Sequence, residues 1–139
     1  LNDTGYVLVE FPFHNKILNL ENIFDTIQSH GYRVIIAHPE RYDFFQENYA
    51  LVDDLRKNGF LFQSNYSSII GGYGKESEKL IKYMLKKHYI DFLATDIHRI
   101  DNTSVIDNFS KIEKKIIKET GESYYQRIKE NSDKLTRHR

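Results

Sequence analysis

The chain has 139 residues, 40% apolar and 14% aromatic, and its 20 Lys and Arg side chains balance 20 Asp and Glu side chains. This composition can supply the core of about one domain, and the lack of net charge excludes general attraction to nucleic acid or to an anionic membrane. The absence of cysteine excludes disulfides, cysteine-ligated metals and a cysteine nucleophile. No apolar stretch approaches the roughly 18 residues of a membrane span, so we expect no membrane insertion and a cytoplasmic location.

Short apolar runs alternate with segments of helical period, which is the pattern of parallel strands joined by crossover helices. The run from Tyr6 to Phe11 predicts a fully buried first strand. The residues that follow share the spacing of one helix face: Leu20, Ile23, Phe24 and Ile27. Asn19 is placed as the N-cap of this helix, and Gly31 lies just past its end.

The same strand and helix period then repeats. Arg33 to Ala37 predicts a second strand, and Phe60 to Asn65 predicts a third. Between them lies a helical stripe that stops at Gly59 and consists of Leu51, Val52 and Leu55. The third strand is followed by a glycine-containing loop that ends at Lys75.

The last part of the chain predicts one more strand and three more helices. A helical stripe consists of Leu80, Ile81, Met84 and Leu85, and Asp91 to Thr95 predicts the fourth strand. Ser104 and Asp107 resemble a capping pair that opens a helix with Ile112 and Ile116 on one side. After Gly121 a final helix carries Ile128 and Leu135. The fold class is therefore α/β, and periodicity alone leaves open whether the strands form an open sheet or part of a barrel.

Polar side chains stand where the four strands end. Glu10 lies near the end of the first strand, His38 follows the second, Gln63 and Asn65 end the third, and Asp96 with His98 follow the fourth. Ligands of parallel α/β folds bind at the carboxyl ends of the strands, so these groups are expected on one rim. Two imidazoles and two carboxylates suit a divalent cation, which predicts a metal cluster. The alternatives are an edge-strand carboxylate for Glu10 and a packing role for His38.

Four segments resemble one known family in their order and spacing. They are LVEFPF (Leu8 to Phe13), AHPERY (Ala37 to Tyr42), QSNYSSIIGGYGK (Gln63 to Lys75) and ATDIHR (Ala94 to Arg99). The chain resembles the CpsB/YwqE-like family of manganese-dependent protein-tyrosine phosphatases, which have the PHP (polymerase and histidinol phosphatase) fold. The resemblance extends over nearly the whole chain.

This resemblance implies the C-terminal part of a distorted (β/α)₇ barrel with up to three Mn²⁺ or other divalent cations at its rim. By the matching motifs Glu10, His38, Asp96 and His98 would be metal ligands. Arg41 would bind the phosphate oxygens with its guanidinium fork, and a structural alternative for it is an ion pair with Glu40 or with a neighbouring helix.

The sequence departs from the family pattern in two ways. Family members open with an H-x-H motif, which is missing here, so residues 1–139 are interpreted as a single domain, the C-terminal portion of a PHP phosphatase domain. Many members also carry a phosphate-binding arginine five residues beyond the final histidine, where this chain has Thr103. Arg99 is the candidate that could replace it. The chain alone is expected to be inactive, and its unpaired first strand could associate with a second copy.

Two further segments favour structural interpretations. The Gly71 to Gly74 loop lacks the spacing of a nucleotide-binding loop and predicts a turn that shapes the rim, with a phosphate cradle as the alternative. The lysine-rich segment from Lys111 to Lys118 also contains acidic residues, which favours a solvated face over a nucleic-acid site.

Three functions stay open at this stage. The first, implied by the resemblance, is hydrolysis of phosphotyrosine on a protein partner, specifically a bacterial tyrosine kinase that controls capsule or exopolysaccharide synthesis. The second is a PHP phosphoesterase that acts on a small-molecule phosphate. The third is a non-catalytic module, which applies if the chain is complete as given.

Overall fold

The computed structural model describes residues 5–11, 20–94 and 109–137. Within these ranges strands and helices alternate up to the last strand, and two helices follow. In chain order the elements are β1 (Tyr6–Val9), α1 (Leu20–Ser29), β2 (Arg33–Ala37), α2 (Asp43–Glu47), α3 (Tyr49–Lys57), β3 (Leu61–Asn65), α4 (Lys75–Lys86), β4 (Phe92–Ala94), α5 (Phe109–Thr120) and α6 (Glu122–Arg137). Short 3₁₀ turns at Pro39–Arg41 and Tyr66–Ile70 follow β2 and β3.

The four strands form one parallel sheet in the order β1-β2-β3-β4. Leu8 is in register with Ile35, and Ser64 is in register with Leu93. The predicted α/β class with parallel strands is confirmed. Because every strand runs the same way, the residues that follow the strands lie along one edge of the sheet.

The main core lies between one face of the sheet and the helices. Val34 and Ile36 of β2 point into this core, where every described helix contributes apolar residues that are almost fully buried. These helix residues are Phe24, Phe44, Phe45, Val52, Leu55, Leu80, Ile81, Met84, Leu85, Ile112, Ile116, Tyr125 and Ile128. A smaller cluster of Ile35, Phe92 and Leu135 occupies the other face. Both faces of β2 are therefore buried, which explains its continuous apolar sequence.

The predicted elements agree closely with the observed ones, with one correction. The first strand was predicted to extend from Tyr6 to Phe11 and to be fully buried, but β1 ends at Val9 and its four residues are only half-buried. The reason is that β1 lies at the edge of the described sheet and pairs only with β2. Helix α2 and the two 3₁₀ turns were not predicted, because five or fewer residues are too short to show a helical period.

Several predictions fall outside the described residues. They concern Asn19, Thr95, Asp96, His98, Arg99, Thr103, Ser104 and Asp107. Among the helices that the structure describes, none has the length and apolar character needed to cross a membrane.

A half-buried ion pair joins α3 to the start of β4. Arg56 donates to both carboxylate oxygens of Asp91, at 2.5 and 3.0 Å. Asp91 also accepts from the main-chain N–H of Phe62 at 3.0 Å, and Arg56 donates to the carbonyl of Phe60 at 3.2 Å. The pair thereby connects α3, β3 and β4.

We expect Asp91→Ala to lower the free energy of unfolding by about 2 to 3 kcal/mol, because it leaves a half-buried guanidinium and the N–H of Phe62 without their acceptor. The measurement is the midpoint of urea denaturation. Lys79→Ala is the matched control, because its pair with Glu76 is exposed on α4 and should contribute too little to resolve. Equal effects of the two substitutions would contradict the structural role of Asp91.

Candidate metal and phosphate site

Two of the predicted metal ligands meet at the carboxyl edge of the sheet. Glu10 follows β1 and His38 follows β2, and these neighbouring strands are parallel. The Nε2 atom of His38 lies 3.0 Å from Oε1 of Glu10. The imidazole is 17% exposed, whereas the carboxylate is 65% exposed. Glu10 and His38 are therefore in contact at the strand ends, and their role as metal ligands stays a prediction.

The backbone at His38 turns sharply as it leaves β2. His38 has φ 37° and ψ 57°, which is the left-handed region, although a residue before proline is ordinarily extended. Its N–H donates to the carbonyl of Gln63 in β3 at 2.6 Å. Backbone strain of this kind persists only where the surroundings enforce it, and it is common at functional sites. Here it accompanies an abrupt change from strand to 3₁₀ turn.

Glu40 holds that turn against the end of β3 and does not pair with Arg41. Its side chain is completely buried, and Oε2 accepts from the hydroxyl of Ser68 at 2.6 Å and from the N–H of Asn65 at 3.2 Å. Burial raises the pKa of Glu40, although the hydrogen bond from Ser68 opposes that shift. The turn that carries His38 is thus fastened to the end of β3.

Tyr42 bonds to the segment that follows β1. It is fully buried, and its hydroxyl oxygen accepts from the N–H of Phe11 at 3.0 Å. Burial raises the pKa of Tyr42 to about 12, so the ring stays neutral at physiological pH. Because Phe11 directly follows Glu10, this bond holds the chain beside the carboxylate.

Arg41 lies in the same turn as His38 and stacks on an aromatic ring. Its guanidinium carbon is 3.9 Å from the centroid of the Tyr73 ring. Both residues line an open cleft of about 350 Å³. Its remaining lining residues are Asp43, Gln46, Gly74, Lys75, Glu76 and Ser77. Arg41 therefore presents a cation next to an accessible space.

The glycine loop is built as a turn. The N–H of Gly71 donates to the carbonyl of Ser68 at 3.2 Å, that of Gly72 to Ser67 at 2.9 Å, and that of Gly74 to Gly71 at 3.1 Å. These donors serve the fold of the loop, so they do not form a cradle for phosphate. The geometry supports the predicted turn over the alternative.

The donor atoms of Glu10 and His38 fit a divalent cation. Neighbouring ligand atoms at about 2.1 Å from a six-coordinate cation lie roughly 3 Å apart, which agrees with the separation of this pair. Carboxylate oxygen and imidazole nitrogen are both common ligands of such ions. Within residues 5–11, 20–94 and 109–137 no group of three or more His, Asp or Glu residues is arranged to hold a metal. The other two predicted ligands, Asp96 and His98, and the candidate Arg99 lie outside those ranges.

Sequence reasoning missed the residues that support the site. Glu40 was considered only as an ion-pair partner of Arg41, and Tyr42 and Tyr73 received no role. A signal existed for Tyr73, since it is a single aromatic residue flanked by glycines. Glu40 carried no such signal, because its complete burial depends on how β3 and the following turn are placed against it.

The protein has a parallel α/β fold in which Glu10 and His38 are in contact at the strand ends. Arg41 lies in the same turn as His38. A family model described as "Capsular polysaccharide synthesis, CpsB/CapC" matches residues 1–137. The chain belongs to this CpsB/CapC family.

Individual relatives agree with this assignment. The chain is 33% identical to tyrosine-protein phosphatase YwqE of Bacillus subtilis over 139 residues, which are 99% of this chain and 53% of the relative. It is 35% identical to the putative tyrosine-protein phosphatase CapC of Staphylococcus aureus over 102 residues, which are 73% of this chain and 40% of the relative.

The fold matches a solved structure as well. One chain from the crystal structures of YwqE from Bacillus subtilis and CpsB from Streptococcus pneumoniae, described as "unique metal-dependent tyrosine phosphatases", superposes with a TM-score of 0.83 at 31% identity. The match covers 99% of this chain and 55% of that chain. The chain thus spans about half the length of the relatives it matches.

Proposed function

We propose that the native protein containing this chain is a metal-dependent phosphatase that hydrolyses phosphotyrosine in proteins. The observation that carries the proposal is the 3.0 Å contact between Glu10 and His38, with Arg41 in the same turn as His38. The pair offers ligands for a cation, and the guanidinium offers donors for phosphate oxygens. The names of the similar proteins support the same activity.

The proposed metal ligands are Glu10, His38, Asp96 and His98, with Mn²⁺ as the proposed ion in a site of up to three cations. A bound divalent cation supplies positive charge beside the phosphoryl group and lowers the pKa of water. The proposed architecture around it is a PHP-type barrel, to which the four described strands would contribute one part. The parallel sheet and the match to a metal-dependent phosphatase support both proposals.

The side chains of this chain have distinct proposed tasks. Arg41 binds two phosphate oxygens with the parallel N–H groups of its fork and so orients the phosphoryl group. Arg99 is proposed as a second phosphate contact. A rim open to solvent in the native protein would favour a tyrosine carried on a protein, whereas a deep pocket would favour a small phosphate ester.

The proposed partner is a bacterial tyrosine kinase whose phosphotyrosines the enzyme would remove. The family description connects these proteins with capsular polysaccharide synthesis, which supports that partner class. Association with a second copy and a cytoplasmic location stay predictions.

The direct test is hydrolysis of a phosphotyrosine peptide by the native protein with Mn²⁺, compared with a sugar phosphate at the same concentration. We expect phosphate release from the peptide at a rate well above that from the sugar phosphate, and loss of the activity after chelation. Faster hydrolysis of the sugar phosphate would favour a small-molecule phosphoesterase. No release from either substrate with Mn²⁺, Mg²⁺ or Zn²⁺ would contradict the proposed enzyme activity.

For the phosphate contact, Arg41→Ala is expected to lower kcat/KM for the peptide by about 10- to 100-fold, the loss typical of a hydrogen bond to a charged group. Metal content, measured by mass spectrometry, should stay unchanged because a guanidinium does not bind cations. Arg33→Ala is the matched control, since Arg33 is exposed at the opposite end of β2. A loss of metal in the Arg41 variant would contradict its role.

A further inference from the structure

The GGYG loop (Gly71 to Gly74) lies between the second 3₁₀ turn and α4. The positions on either side of its aromatic residue, Tyr73, require glycine. A Cβ atom on Gly72 would lie 2.9 Å from the main-chain oxygen of Ser67, which is closer than real Cβ contacts allow. Gly74 has φ 102°, a conformation that L-residues with side chains rarely adopt. Tyr73 is therefore held between two positions whose backbone is closely constrained.

The constrained loop presents the Tyr73 ring to the guanidinium of Arg41. The 3.9 Å distance between the guanidinium carbon and the ring centroid corresponds to direct stacking of a cation on a π face. The two residues lie 32 positions apart in different turns, both of which follow strand ends. The contact thus joins the turn that carries His38 to the loop that precedes α4.

Stacking suits an arginine that must bind an oxyanion. The N–H donors of guanidinium lie in its plane, so a ring on its face restrains the side chain without using those donors. The stacked pair borders the cleft of about 350 Å³, so the ring fixes the guanidinium next to the space that an anion would enter.

We propose that Tyr73 is a positioning residue that holds the guanidinium of Arg41 in the orientation required to bind phosphate. The inference rests on the proposed role of Arg41 as the phosphate contact. Tyr73 acts through Arg41 and does not itself touch the substrate. Preorganisation of this kind reduces the rotamer entropy that is lost when the anion binds.

The test is a double-mutant cycle on the native protein loaded with Mn²⁺. The probe is inorganic phosphate, and its affinity is measured by isothermal titration calorimetry. Tyr73→Leu is expected to weaken phosphate binding by about threefold to tenfold, the usual value of a partly exposed cation–π contact. Tyr73→Phe retains the ring and should restore most of the affinity. In an Arg41→Ala background, Tyr73→Leu should have little further effect.

Two additional variants separate positioning from general stability. Gly72→Ala forces the loop away from Ser67 and should weaken phosphate binding in the same direction as Tyr73→Leu. Tyr83→Leu is the matched control, since Tyr83 lies beneath the Lys87 ammonium and bonds to Asp53 in α3. It should reduce thermal stability without changing phosphate affinity.

The proposal is overturned if Tyr73→Phe and Tyr73→Leu weaken binding equally, or if Tyr73→Leu has its full effect without Arg41. Hydrolysis of the phosphotyrosine peptide, measured in parallel, separates this result from the fate of the proposed function. Normal hydrolysis with no effect of Tyr73→Leu on phosphate affinity rejects the positioning role alone. Coupled phosphate binding without peptide hydrolysis supports the positioning role and rejects the phosphatase.

Discussion

Replacement of His38 by alanine is expected to remove metal and phosphotyrosine hydrolysis together from the native protein. The imidazole Nε2 lies 3.0 Å from the Glu10 carboxylate, so the substitution deletes one of the two proposed ligands that the structure brings together. Loss of a ligand should reduce both metal affinity and turnover by at least about 100-fold, since even residues behind the ligands contribute 10- to 100-fold.

Metal content by mass spectrometry and peptide hydrolysis should be measured on the same preparation of that variant. His30→Ala is the matched control, because His30 is exposed at the end of α1 and bonds only locally, to the carbonyl of Thr26 among the described contacts. Arg41→Ala provides the opposite pattern, with metal retained and turnover reduced. A His38 variant with parental metal content and rate would show that the imidazole is structural.

The second large effect concerns stability, and we expect Glu40→Ala to lower the free energy of unfolding by about 3 kcal/mol. The substitution leaves the Ser68 hydroxyl and the Asn65 N–H without their acceptor in a completely buried place, and it opens a cavity. The measurement is urea denaturation with the slope compared between variants.

The same change should reduce phosphatase activity, because the strained turn at His38 depends on its anchor to β3. Glu40→Gln is the matched control. An amide oxygen can still accept from Ser68 and Asn65, so this variant should retain most of the stability and activity. An alanine variant as stable as the glutamine variant would contradict the anchoring role.

Much of the fold could be predicted because strong local patterns agreed with tertiary packing. The run from Arg33 to Ala37 is apolar along nearly its whole length, and β2 has the predicted bounds because both of its faces are buried. Helix α4 followed from the apolar stripe that includes Leu80 and Met84, which now faces the core. The first strand was the exception, since its burial depends on neighbours that its own sequence does not specify.

The candidate site was predictable only where chemistry coincides with a strand end. Glu10 and His38 were identified because Glu10 lies near the end of one predicted strand and His38 follows the next, and parallel strands bring their carboxyl ends together. The supporting contacts could not be predicted in this way. Glu40 lies two residues from His38, yet nothing in that spacing indicates a bond to Ser68, 28 positions away.

The sequence by itself determined the α/β class, the order of strands and helices and the polar residues at the strand ends, because periodicity and residue type are local properties. Only the tertiary structure decided that Glu40 is buried beneath the turn, that Tyr73 stacks on Arg41 and that the glycine N–H groups serve their own loop. The physical reason is that burial and side-chain contacts arise between segments far apart in sequence, and their geometry exists only once the sheet has assembled.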